Sequence, residues 1–95
     1  MNSTTRNTIT NYVLYGYPMG DFMTAVFKND LFESFGMADI QNRHDMFEIV
    51  SFINAVVPMD CRGENIERWI KVGGVKGRLP EYFDRFKQRL ENWKM

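Results

Sequence analysis

The sequence predicts an all-α fold, a single compact bundle of four to five helices. Apolar side chains recur at a period of ~3.6 residues along most of the chain. Glycine and proline cut that pattern into helix-length pieces at Gly16, Pro18-Met19-Gly20, Gly36 and Pro58. The length of 95 residues leaves room for one core, and 15% aromatic residues supply much area for it.

Ser3, Thr4 and Thr5 offer N-caps for a first helix, with Ile9, Tyr12 and Val13 on one face and Gly16 as its end. Tyr17-Pro18-Met19-Gly20 reads as a turn. From Asp21, the residues Phe22, Met23, Val26 and Phe27 make a dense apolar stripe, which Leu31, Phe32 and Phe35 resume after Asn29-Asp30. One helix over 20–35 and two short helices with a break at Asn29 both satisfy this spacing. In the second case Asp30 is a cap, and in either case Gly36 is a stop.

Asp39 reads as the N-cap of the longest helix, which carries Met46, Ile49, Val50, Ile53, Val56 and Val57 at helical spacing until Pro58. Phe47 and Phe52 widen its stripe, so this helix is placed at the centre of the bundle. After a loop at 59–63, a short helix from Glu64 to Val72 turns Ile66, Trp69 and Ile70 inward. Residues 1–72 form the predicted helical core. Residues 73–78, with three glycines, read as a hinge. Residues 79–95 form an amphipathic basic helix started by Pro80 that packs on the core or on a second subunit.

Charge supports that division. Residues 1–70 hold five basic and nine acidic side chains, and residues 71–95 hold seven basic and three acidic. The tail either docks on the acidic body or offers a basic surface to an acidic partner. A lone Cys61 excludes a disulfide scaffold within one chain. The polar first residues do not read as a signal peptide, and no stretch reaches the roughly 18 apolar residues of a membrane span. A cytoplasmic protein without membrane contact is expected.

The stretch from Tyr15 to Trp69 carries Gly16-Tyr17-Pro18-Met19-Gly20-Asp21-Phe22, then Ala25-Val26-Phe27-Lys28-Asn29-Asp30-Leu31. It continues with Ala38-Asp39, Asn42, Val57-Pro58, Cys61, Gly63 and Trp69. This pattern of spacing and residue type resembles a family of small uncharacterised proteins of tailed bacteriophages and prophages. The resemblance implies a phage or prophage origin and a bacterial host cell. It implies no activity, and the basic tail extends beyond the part of the chain that carries it.

Candidate chemistry is sparse. His44 and Glu48 at i, i+4 place two metal-ligand types on one helical face, but a zinc site takes three or four ligands. Cys61 beside Arg62 is a candidate nucleophile, yet a Cys–His mechanism needs a convergent base. Carboxylates at Asp39, Asp45 and Glu48, and at Glu64 and Glu67, are explained by caps and solvated helix pairs. Gly73 to Arg78 lacks the Ser/Thr of a Walker loop. No catalytic residue, cofactor or metal is therefore expected.

The expected function is that of a non-enzymatic phage accessory protein acting by protein–protein binding. Its sharper form is an inhibitor of a host defence or host process, with a host or phage protein as partner. The expected interface is Tyr82, Phe83, Phe86, Leu90 and Trp93, which also suits self-association through the last helix. The alternative is a small nucleic-acid-binding regulator that uses Lys76, Arg78, Arg85, Lys87 and Arg89. Acidic Glu81, Asp84 and Glu91 dilute that basic face and weigh against it.

Overall fold

Asn2 starts the first helix: its side chain accepts from the Thr5 N–H at 2.8 Å, the capping role expected of Ser3 to Thr5. The computed structural model describes residues 1–94, which hold eight α-helices, three 3-10 turns and no strand. Helix α1 spans Ser3–Tyr15 and buries Ile9, Tyr12, Val13 and Leu14. It ends at Gly16, whose left-handed φ of 74° turns its N–H back onto the Tyr12 carbonyl at 2.9 Å.

All-α is the fold found, with more helices than four to five. The excess comes from backbone breaks that leave the apolar period intact. Between α2 (Asp21–Phe27) and α3 (Leu31–Met37), Asn29 takes a φ of 62°. Asp30 then caps α3 by accepting from the Glu33 N–H at 3.0 Å. Gly36, expected as a stop, lies inside α3. The predicted helix from Asp39 to Val57 is two helices, α4 (Ile40–His44) and α5 (Met46–Val56). Asp45 divides them with φ −91° and ψ 4°, and its carboxylate meets Gln41 at 2.9 Å and the Met1 ammonium at 3.3 Å. Asp39 caps α4 alone, accepting from the Asn42 N–H at 2.7 Å. The central role survives in α5, which buries Ile49, Phe52, Ile53 and Val56.

Two 3-10 turns, Met59–Cys61 and Gly63–Asn65, lead into α6 (Ile66–Val72). The expected hinge at 73–78 is instead a helix, α7 (Gly74–Arg78), with Gly74 and Val75 buried against α1. The glycines there serve close approach. A Cβ on Gly74 would stand 2.6 Å from the Gly16 nitrogen and 2.7 Å from the Leu14 carbonyl carbon. A Cβ on Gly77 would collide with the Val72 carbonyl oxygen. Pro80–Tyr82 forms the third 3-10 turn, and α8 (Phe83–Asn92) packs on α1, α5 and α7 of its own chain.

The shortest extent of the molecule is 18 Å, two helices deep at an interaxial spacing of roughly 8–10 Å. The core gathers Tyr12, Phe27, Phe52, Trp69, Val75 and Leu90 from both ends of the chain.

Gly74→Ala is expected to cost about 2–4 kcal/mol in urea unfolding, because a positive φ and a backbone collision act together. Gly36→Ala, in helical geometry with open space around it, is expected to be neutral or to stabilise by about 0.5–1 kcal/mol.

Candidate functional site

Leu90, expected at an interface, is fully buried in its own chain. Phe83, Phe86 and Trp93 are half-buried and pack on the same core, so Tyr82 is the exposed member of that set. Two basic groups hold this arrangement. The Arg6 guanidinium donates to the Leu90 carbonyl at 2.6 Å and to that of Trp93 at 2.8 Å, closing the C-terminal end of α8. It also lies 4.9 Å over the Phe52 ring. Arg89 donates to the Ala55 carbonyl at 3.3 Å. Lys76, Arg78, Arg85 and Lys87 are exposed, with Arg78 at 3.9 Å from Asp60.

The apolar surface lies elsewhere. Helix α3 buries only Ser34, whose hydroxyl donates to the Asp30 carbonyl. Its Leu31, Phe32, Phe35 and Met37 are exposed, Phe32 at 90%. On the next two helices Ile40 is 86% exposed and Phe47 74%, with Val50 one turn further along α5. An aromatic side chain carries roughly 150–250 Å², so the three phenylalanines alone leave on the order of 400 Å² of ring surface in water. With the aliphatic members, the exposed apolar side chains of the three helices together approach the ~800 Å² that one partner gives to a standard interface. Arg43 ties α4 to α3 by donating to the Phe35 carbonyl at 3.1 Å.

Beside this face a hollow of about 500 Å³ opens between α2 and α5. A smaller depression lined by Leu31 and Met46 adjoins it, and Val26, Asn29 and Val50 belong to both. Arg62 lies in the hollow's wall. Its guanidinium donates to the Ile53 carbonyl at 2.7 Å, to that of Val57 at 2.5 Å and to Asn54 Oδ1 at 3.2 Å. It thereby satisfies the carbonyl end of α5.

Cys61 is fully buried, and its thiol donates to the Pro58 carbonyl at 3.1 Å. Burial pushes its pKa up to about 12, against a smaller lowering by Arg62. A thiol held protonated is a poor nucleophile. Tyr12 is raised likewise by burial, and its hydroxyl donates to the Cys61 carbonyl at 2.6 Å. The His44–Glu48 pair does not form a metal face, because the helix breaks between them and Glu48 pairs with the Met1 ammonium. Among the described residues no group of three or more His, Cys, Asp or Glu is placed to hold a metal ion. Asp45 is held below the usual carboxylate range, first by the hydrogen bond from Gln41 and then by the Met1 ammonium.

No family model matches the sequence, and comparison with curated proteins and with solved structures yields no match. Among the described residues no helix is long and apolar enough to cross a membrane.

The α3–α5 face was hidden in the sequence because its residues read as core. One signal was available: the seven residues of α3 are apolar on more than one side, as in a helix buried all round or held at an interface.

Folding raises the pKa values of Cys61 and Tyr12, so both favour the folded state while protonated. Their contribution is complete below the unfolded values of about 8.5 and 10, and is lost as pH rises toward and through the folded ones. Urea midpoints are expected to hold from pH 6.5 to about 8 and then fall steadily to pH 10.5.

Proposed function

We propose that this chain acts by binding another protein through the α3–α5 face, as an accessory protein of a phage or prophage in the cytoplasm of a bacterial host. Inhibition of a host defence or host process is the role that suits such a protein. The observation that carries the reading is the exposure of Leu31, Phe32, Ile40 and Phe47 on three consecutive helices, where most of the chain's exposed large apolar side chains are gathered. Exposed apolar surface on this scale marks an interaction site. The pattern from Gly16 to Trp69 that resembles the phage family supports the origin.

The reading moves the interface from the last helix to α3–α5, because Leu90 and its neighbours already pack within the chain. A second reading rests on the exposed Lys76, Arg78, Arg85, Lys87 and Arg89, which would serve a nucleic-acid-binding regulator.

The double substitution Phe32→Ser/Phe47→Ser is expected to change unfolding stability by less than about 0.5 kcal/mol per site, since both rings are exposed. It is expected to abolish co-purification of the partner from host cells, while Arg85→Glu/Lys87→Glu leaves it intact. Loss with the charge variant alone, together with a salt-dependent gel shift, would favour the nucleic-acid reading.

A further inference from the structure

The walls of the hollow between α2 and α5 hold two cations and no acid. Lys28 and Arg62 are the charged members, and Asn29, Asn54 and Asn65 supply amides. Val26, Val50 and Met59 give the same hollow apolar surface. Its volume of about 500 Å³ falls within the range of roughly 300–1,000 Å³ typical of ligand sites.

Arg62 is the unusual element. Its three hydrogen-bond acceptors are neutral, two backbone carbonyls and one amide oxygen. Its Nε is buried and has no hydrogen-bond partner. Among the described residues no carboxylate lies within ion-pair distance of it. A guanidinium drawn out of water is normally matched by an anion, because desolvation of the charge is otherwise uncompensated. Arg62 is half-buried and the carbonyl end of α5 offsets part of its charge, which leaves the wall net positive at a place where apolar surface is also open.

We propose that this hollow receives a carboxylate carried on an apolar stem, presented by the protein segment that lies along the α3–α5 face. The inference rests on the reading of that face as a protein-binding surface. Val50 joins the two, being exposed on the face and a wall of the hollow. Both Nη2 protons of Arg62 are taken by the Ile53 and Val57 carbonyls, so a carboxylate engages the second Nη1 proton, with Lys28 adding charge at the rim. The stem covers Val26 and Met59. A chain end or an acidic side chain next to an aliphatic one supplies this chemistry.

The test uses the full chain and small probes, so it needs no partner. N-acetyl-leucine carries the carboxylate and stem, and N-acetyl-leucinamide is its neutral counterpart. Backbone amide resonances of Lys28, Asn29 and Asn54 and the Met59 methyl are followed by NMR at fixed ionic strength. The acid is expected to shift them saturably with a dissociation constant on the order of millimolar, as suits so small a ligand. The amide and inorganic phosphate are expected to leave them in place. Lys28→Gln, at an exposed position, is expected to weaken acid binding several-fold. Asn54→Asp brings a carboxylate to Arg62 from within, and is expected to abolish acid binding and raise the unfolding midpoint by about 2–4 °C.

No shift with the acid, or equal shifts with acid and amide, overturns the proposal. So does an equal response to phosphate, which would make this a plain anion site. Phe32→Ser/Phe47→Ser is expected to retain acid binding. Failure of the protein-binding reading would thus appear in co-purification and not in this titration.

Discussion

At the carbonyl end of α1, the indole N–H of Trp69 is shared between the carbonyls of Tyr12 and Val13, at 3.2 Å each. In the next turn Gly16 and Gly74 bring two backbones to a distance that no side chain would allow. The Tyr12 hydroxyl donates to the Cys61 carbonyl from the same turn. This junction joins residues 49 or more apart in sequence. It seats α6 and α7 on α1, and α7 in turn positions α8. Buried carbonyls at a helix end need donors. Here a tryptophan from a distant helix supplies one, so local structure and tertiary packing form together.

The same solution recurs at two other helix ends. Arg62 closes α5 and Arg6 closes α8, each with a guanidinium that reaches carbonyls from outside the helix it caps. Cations also interact favourably with the negative end of a helix dipole. The basic tail is thus fixed to the body through a body arginine bonding tail carbonyls, and through Leu90 in the core. Tail cations contacting body acids play a small part. By contrast α3 is anchored mainly through α2 and the Ser34 side, with its apolar side chains outward. The molecule therefore divides into a locked half around α1 and a half whose apolar surface faces water.

Helical periodicity was enough to read the class of fold and most of the core. Ile9, Tyr12 and Val13, then Ile49, Ile53 and Val56, then Ile66 and Trp69 lie buried where their spacing put them. The break at Asn29 was one of two readings the spacing left open, and the break at Asp45 escaped, because one left-handed or bridge-region residue stops a helix without disturbing the apolar period. The segment 73–78 was misread because glycine that relaxes a backbone and glycine that permits close approach look identical in sequence. The candidate site was the least legible part. Phe32, Ile40 and Phe47 satisfy the same spacing as core residues, and only the count of helices competing for one small interior shows which are left outside. Arg62 gave no signal, since its role depends on carbonyls at Ile53 and Val57 that become neighbours only after the turn at Pro58.

Native-state hydrogen exchange read residue by residue tests the junction most directly. The Trp69 indole N–H and the Gly16 amide are predicted to exchange only through global unfolding, with the slowest protection in the chain, while the amides of α3 exchange through local opening. Trp69 and Gly16 exchanging as fast as α3 would contradict the claim that the end of α1 holds the fold together.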